Sequence, residues 1–108
     1  QPRILIVVHV LAAFVGLTTH LAWPHHMVWA SAIAVSSAIV AMHLTRTLHP
    51  PGGASALIAV IGSEPIKSLG YWYVLSPVLT GAVILLLMAL IVNNLSSNPR
   101  RHYPVYWF

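Results

Sequence analysis

Four apolar runs separated by short polar breaks organise this chain. The first, Ile4 to Trp23, carries no formal charge. At about 1.5 Å per residue it is long enough to cross a hydrocarbon core of about 30 Å. Trp23-Pro24-His25-His26 closes it with an interfacial aromatic and a proline break. The second, Met27 to Thr45, is rich in Ala and Ser rather than Leu, and Arg46 ends it. The third is short, Pro50 to Gly62, and the polar loop Gly62–Ser68 follows. The fourth, Tyr71 to Val92, opens on the interfacial cluster Tyr71-Trp72-Tyr73 and stops at Asn93-Asn94. Residues 95–108 form a basic, aromatic tail, too short and too proline-interrupted to span, so it is expected at the membrane surface. The pattern predicts an all-α polytopic membrane helix bundle of about four segments (4–23, 27–45, 50–62 and 71–92). The third is discontinuous after a His-Pro-Pro-Gly-Gly break, and one transmembrane domain covers 1–108.

Helical spacing predicts which faces meet. In the first run His9, Ala12, Ala13, Gly16, Thr19 and His20 share a face. In the second, Ala30, Ala34, Ala38, Ala41 and Thr45 form a small-residue stripe. Small faces let membrane helices approach closely, because packing rather than water exclusion drives their association. The fourth run begins with Ser76-Pro77 and Thr80-Gly81 and then turns Leu-rich, so its N-terminal half is expected to face the bundle.

Composition agrees with a bilayer as the solvent. The chain is 58% hydrophobic and 6% charged, with Glu64 its single acid, against about 25% charged residues in a soluble domain. The net charge of +4 is dispersed at the ends of apolar runs and so excludes a nucleic-acid patch; lipid is the expected environment. There is no cysteine, hence no disulfide or thiolate metal site. No start methionine or cleavable leader is visible in Gln1-Pro2-Arg3, which leads to the expectation of a fragment lacking preceding N-terminal helices.

Charge bias bears on the short third run. If it crosses, Arg3, Arg46, Arg100 and Arg101 share one side, opposite Lys67 and Glu64. If it dips in and returns, Arg3, Arg46 and Lys67 oppose Arg100 and Arg101. The first arrangement fits the positive-inside rule better and places the four arginines on the cytoplasmic-like side. As a helix, Pro50 to Gly62 reaches only about 20 Å. Non-helical backbone at His49–Gly53 must then bridge the rest, and at membrane depth such backbone is tolerated only in a protein interior or a cavity.

That break carries the candidate chemistry. Pro50 and Pro51 suit a first helical turn. Gly52, Gly53 and Ala54 are expected to present free N–H groups at the positive end of the helix dipole, an arrangement that favours anions. Arg46 and His49 flank them and Ser55 adds a hydroxyl. Intramembrane histidines are costly and commonly functional, and His9 and His43 are expected on the same side as a possible proton relay. The competing reading of all these residues is architectural: a break that lets the third helix start deep in the bundle, with helix-end histidines bonded to carbonyls. His20, His25 and His26 form an H-x4-H-H cluster, but a single such box without an acidic partner is a poor iron site, and an interfacial loop is favoured. No metal or cofactor is expected. No paired carboxylates and no serine with a base and an orienting group occur, so nothing reads as an enzyme.

The run Leu44-Thr45-Arg46-Thr47-Leu48-His49-Pro50-Pro51-Gly52-Gly53-Ala54 resembles the signature of the HPP family of integral membrane proteins. Gln1-Pro2-Arg3 followed by His9 resembles that family's Q-P-R…G-H segment. Asn93-Asn94-Leu95 and Arg100-Arg101-His102-Tyr103-Pro104 resemble its N-N-L…R-Y-P ending. The sequence departs at Ile4, where the family often has Asn, and at Val8, where it often has Gly. The resemblance implies a multi-helix bundle of bacterial inner-membrane or chloroplast-envelope type, with nitrite transport linked to some plant and cyanobacterial members. It also implies further hydrophobic segments before Gln1 with an earlier G-A-S-A stretch, which would make an inverted repeat with Gly53-Ala54-Ser55-Ala56.

Residues and resemblance together point to a transporter of a small anion, nitrite as candidate, with Arg46 attracting it, the Gly52–Ser55 backbone holding it, and His9, His43 or His49 passing a proton. A homo-oligomer is compatible with this reading. The alternative is a non-transporting membrane subunit or sensor in which the motif is architectural.

Overall fold

A computed structural model describes residues 1–108, and it is all helical. Helix α1 spans Pro2–Ala22, α2 Met27–Leu44, α3 Pro51–Ile61, α4 Glu64–Lys67 and α5 Thr80–Leu95. Prolines occupy the first turns of α1, α3 and α4, where the missing N–H has no intrahelical partner to lose. Three stretches are long and apolar enough to cross a membrane: Pro2–Ala22, Met27–Leu44 and Val74–Leu95; α3 is a shorter apolar helix.

Contacts along α3 give its direction. Gly52 lies beside Val8, Ala56 beside Gly16, and Ala59 packs with Leu17, so α3 runs parallel to α1. Gly52 also lies beside Met42, while Val60 packs with Ala30 and Ala34, so α2 runs antiparallel to both. Tyr71 stacks on Phe14 and Ala82 shares a cavity wall with His9, so the fourth segment returns antiparallel to α1. The four segments therefore alternate in direction. Arg3, Arg46, Arg100 and Arg101 lie at one end of the bundle, and Glu64 and Lys67 at the other.

The core is small-residue packing between α1, α2 and α3. Ala12, Ala13, Ala30, Ala34, Ala38, Ala56 and Ala59 are buried. Gly16 sets the closest approach: a Cβ there would stand 2.6 Å from the Ala56 Cα. Only 20 of 108 residues are buried, and Leu, Ile, Val and Trp side chains cover the outside. That surface suits lipid and no aqueous one.

Two expectations need correcting. The α2 stripe continues from Ala38 to Met42, which is buried, and not to Ala41 and Thr45; Ala41 is half-buried and Thr45 exposed. The fourth segment is not one helix from Tyr71 to Val92. Pro77 disfavours helical backbone at the preceding residue, and Ser76 is extended at φ −146°, ψ 121° within Val74–Leu79. The helix beyond that kink runs on to Leu95. Its N-terminal half does face the bundle as expected: Tyr73, Val74 and Ala82 are buried, and Tyr73 and Val74 pack with Ala13, Leu17 and Ala59.

The tail is anchored by one side chain. Asn94 Nδ2 donates to the Tyr103 carbonyl and Asn94 Oδ1 accepts from the Tyr103 N–H at 3.2 Å, a two-bond clamp across a turn that includes the 3-10 turn Pro99–Arg101.

Candidate functional site

The break between α2 and α3 begins as a helix stop. Thr45 caps α2, and Arg46 takes the left-handed conformation, φ 54°. The Arg46 N–H then donates to His43 O at 3.1 Å, and the Thr47 N–H to Met42 O at 2.9 Å. This is the Schellman arrangement, with arginine where glycine is usual. Thr47 is fully buried and its hydroxyl meets that of Thr45 at 2.6 Å. The chain turns inward, and α3 starts at the level of Val8, about 9 Å along α1 at 1.5 Å per residue. The first turn of α3 is thereby set inside the bundle, below the end that carries Arg3.

Not all of its N–H groups are free. The Gly52 N–H donates to His49 O at 2.9 Å and the Gly53 N–H to Pro50 O at 3.0 Å. The expectation of open N–H donors at Gly52 and Gly53 is corrected, because the tight turn through Pro50 folds those donors onto its own carbonyls. Gly52 is also buried, and a Cβ on it would come within 2.7 Å of Val8 Cγ2 and 3.0 Å of Met42 Sδ. Packing accounts for that glycine. A Cβ on Gly53 would meet nothing closer than Val35 Cγ1 at 3.9 Å, so packing does not account for Gly53.

The side chains divide between two faces of α3. On one, His9 Nδ1 and Ser55 Oγ share a hydrogen bond at 2.8 Å, and Tyr73 OH donates to the Ser55 carbonyl at 2.9 Å. His49 meets the His9 ring edge-on, with centroids 6.2 Å apart. His9, Ser55 and Tyr73 line a cavity of about 350 Å³ against Ile58, Val78 and Ala82. On the other face, His43, Pro50, Gly53 and Ala54 line a groove of about 610 Å³ between α2 and α3. His43 is exposed, its Nδ1 bonded to Ile39 O at 3.0 Å. His9 and His43 are therefore separated by α3 and are not neighbours; His49 stands where His43 was expected to. Arg46 is exposed and lines neither space.

Tyr73 escaped the sequence reading, which grouped it with Tyr71 and Trp72 as an interfacial belt. It is 3% exposed. The signal was Ser76-Pro77: a break there makes the residues before it a separate turn that packs inward on α1. His20, His25 and His26 do not come together, and no group of three metal-ligating side chains forms.

Comparison with known proteins follows the same residues. A family model described as the HPP transmembrane region matches residues 1–104. Two transmembrane proteins of Dictyostelium discoideum align with the whole chain over 111 residues, at 45% and 44% identity. The chain spans 38% of the length of the first and 35% of the second. No solved structure matches.

Proposed function

The chain belongs to the HPP transmembrane family, and on that premise we propose that it is the membrane domain of a transporter for a small anion. Nitrite is the candidate that the resemblance suggests. The observation that carries this reading is the placement of the α3 N-terminus. A helix start is set about 9 Å into the bundle, with the uncommitted cation Arg46 at its mouth and the His9–Ser55–Tyr73 cluster on its first turns. Arg46 draws the anion to this end, and the positive end of α3 favours it there. Gly53, Ala54 and Ser55 offer close approach, and His49 stands beside His9 for proton exchange. The arginine-rich end is assigned to the cytoplasmic-like side by the positive-inside rule. Segments preceding Gln1 would supply the oppositely oriented counterpart of α3.

A second reading has its own support. Gly16 and Gly52 are accounted for by packing and the Gly52 and Gly53 donors by local turns, as an architectural break in a non-transporting subunit or sensor requires. Uptake of nitrite by vesicles carrying the full-length protein separates the two. Uptake above protein-free vesicles, lowered about tenfold by Arg46→Gln, supports the transporter. Absence of uptake together with co-purification of a stoichiometric partner protein supports the subunit.

A further inference from the structure

The cavity of about 350 Å³ between α1, α3 and the start of the fourth segment holds no formal charge. Its polar side chains are His9, Ser55 and Tyr73, and apolar side chains make up most of the rest. None of the five cations and not Glu64 lines it. The His9–Ser55 pair has a useful property. If the serine donates to Nδ1, the protonated Nε2 is a donor and the serine oxygen remains an acceptor. If Nδ1 donates to the serine, Nε2 is an acceptor and the serine hydroxyl a donor. In either tautomer the pair offers one donor and one acceptor. Nε2 has no hydrogen-bond partner, and no buried side-chain N or O atom lacks one, so Nε2 lies on accessible surface. The Tyr73 oxygen, its hydrogen given to Ser55, adds an acceptor.

An ion entering this lining gives up water against apolar carbon with no formally charged side chain among the lining residues. That cost far exceeds the few kcal/mol of an uncharged polar group, which hydrogen bonds repay. One donor beside one acceptor matches the hydroxyl and the double-bonded oxygen of an undissociated oxyacid. We propose that this cavity binds a small uncharged oxyacid, the protonated form of a weak-acid anion, with His9 and Ser55 as its paired contacts and Tyr73 as a third. The proposal rests on the transporter reading and specifies the species that passes α3. The anion gathered near Arg46 takes one proton from water on the entry side, crosses as the neutral acid, and releases that proton on the far side. Net movement is electroneutral, one proton with each anion.

The test uses full-length protein in phosphatidylcholine vesicles loaded with a pH-reporting dye, with protein-free vesicles subtracted. Nitrite, the anion of a weak acid, and nitrate, the anion of a strong one, are the probes. Nitrite entry is expected to acidify the lumen, to rise about tenfold per pH unit lowered outside as the undissociated fraction rises, and to ignore an imposed membrane potential. Nitrate is expected to stay outside. Gly81 lines the cavity and a Cβ there meets nothing within 4 Å, so Gly81→Leu fills the space without crowding the fold. It should lower nitrite entry about tenfold or more while the protein keeps its thermal midpoint. His9→Gln and Tyr73→Phe should lower entry as well. Potential-driven uptake of both anions without acidification, unchanged by Gly81→Leu, overturns the neutral-acid site and leaves the transporter standing. No uptake of either anion overturns both.

Discussion

Arg46 holds a conformation that costs an L-residue about 1 kcal/mol and costs glycine almost nothing. With φ at 54° and the Schellman bonds in place, Arg46→Gly should keep the turn and raise stability by up to about 1 kcal/mol. On the transporter reading the same change lowers nitrite uptake. Thermal unfolding in detergent and vesicle uptake, measured side by side, check the pair; a loss of stability would mean the guanidinium itself holds the break together. The glycines are graded by what their missing Cβ would meet. At Gly16 it meets Ala56 backbone, which cannot swing aside, so Gly16→Ala should cost about 1–3 kcal/mol by forcing α1 from α3. At Gly52 it meets a Val8 methyl at 2.7 Å and the Met42 thioether at 3.0 Å, side-chain atoms that can shift where the Ala56 backbone cannot, so Gly52→Ala should cost less than Gly16→Ala. Gly53→Ala should be neutral or stabilising, since 3.9 Å to Val35 is ordinary contact and alanine is the better helix former. Thermal midpoints of the three variants should fall in that order. Sequence alone did not separate these glycines. Gly52 and Gly53 are adjacent in an identical local context, and only the helices packed around them tell a filler of space from an open position.

The break itself was legible at the scale of elements because proline and glycine act locally. Pro50-Pro51 opens α3 as expected, but the non-helical backbone is residues 45–50 and not His49–Gly53: Pro51, Gly52 and Gly53 already belong to α3, because proline suits a first helical turn. What needed the fold was the sorting of side chains around it. His9 lies about two turns into α1 and His43 in the last turn of α2, both toward the same end, yet they line spaces on different faces of α3. The kink at Ser76 was likewise written in Ser76-Pro77, but its consequence, an inward Tyr73 bonded to Ser55, depends on α1 and α3 lying beside it. At the other end of the fourth segment, Asn94 grips Tyr103 through both atoms of its amide. Removing two exposed hydrogen bonds costs about 1–2 kcal/mol locally. Asn94→Ala should therefore free the tail and leave the α1–α3 core alone. Trypsin should cleave the variant faster at Arg100 and Arg101 while its thermal midpoint stays within error of the parent. An unchanged cleavage rate would show that the membrane surface, not the clamp, holds the tail.

At the scale of the molecule, the alternation of directions makes one claim that no single helix does. Because the short α3 runs parallel to α1, we expect it to cross, with the loop that carries Glu64 and Lys67 and the tail that carries Arg100 and Arg101 on opposite faces of the membrane. A re-entrant α3 would leave those two loops separated by the fourth segment as well, but it would carry Lys67 to the Arg46 side. The decisive comparison is thus between the α2–α3 break and the α3–α4 loop. The chain has no cysteine, so single thiols can be placed without background. Ser68 is exposed after α4 and Leu48 is exposed in the break. Ser68→Cys and Leu48→Cys should react with a membrane-impermeant maleimide from opposite sides of sealed, oriented vesicles. Ser97→Cys, in the tail, should label with Leu48→Cys. Four arginines at one end against a single lysine at the other favour the cytoplasmic-like face for the Leu48 and Ser97 thiols. Labelling of Ser68 and Leu48 from the same side would return α3 to a re-entrant hairpin. The cavity beside His9 would then open toward one face alone and lose its place on a path across the bilayer.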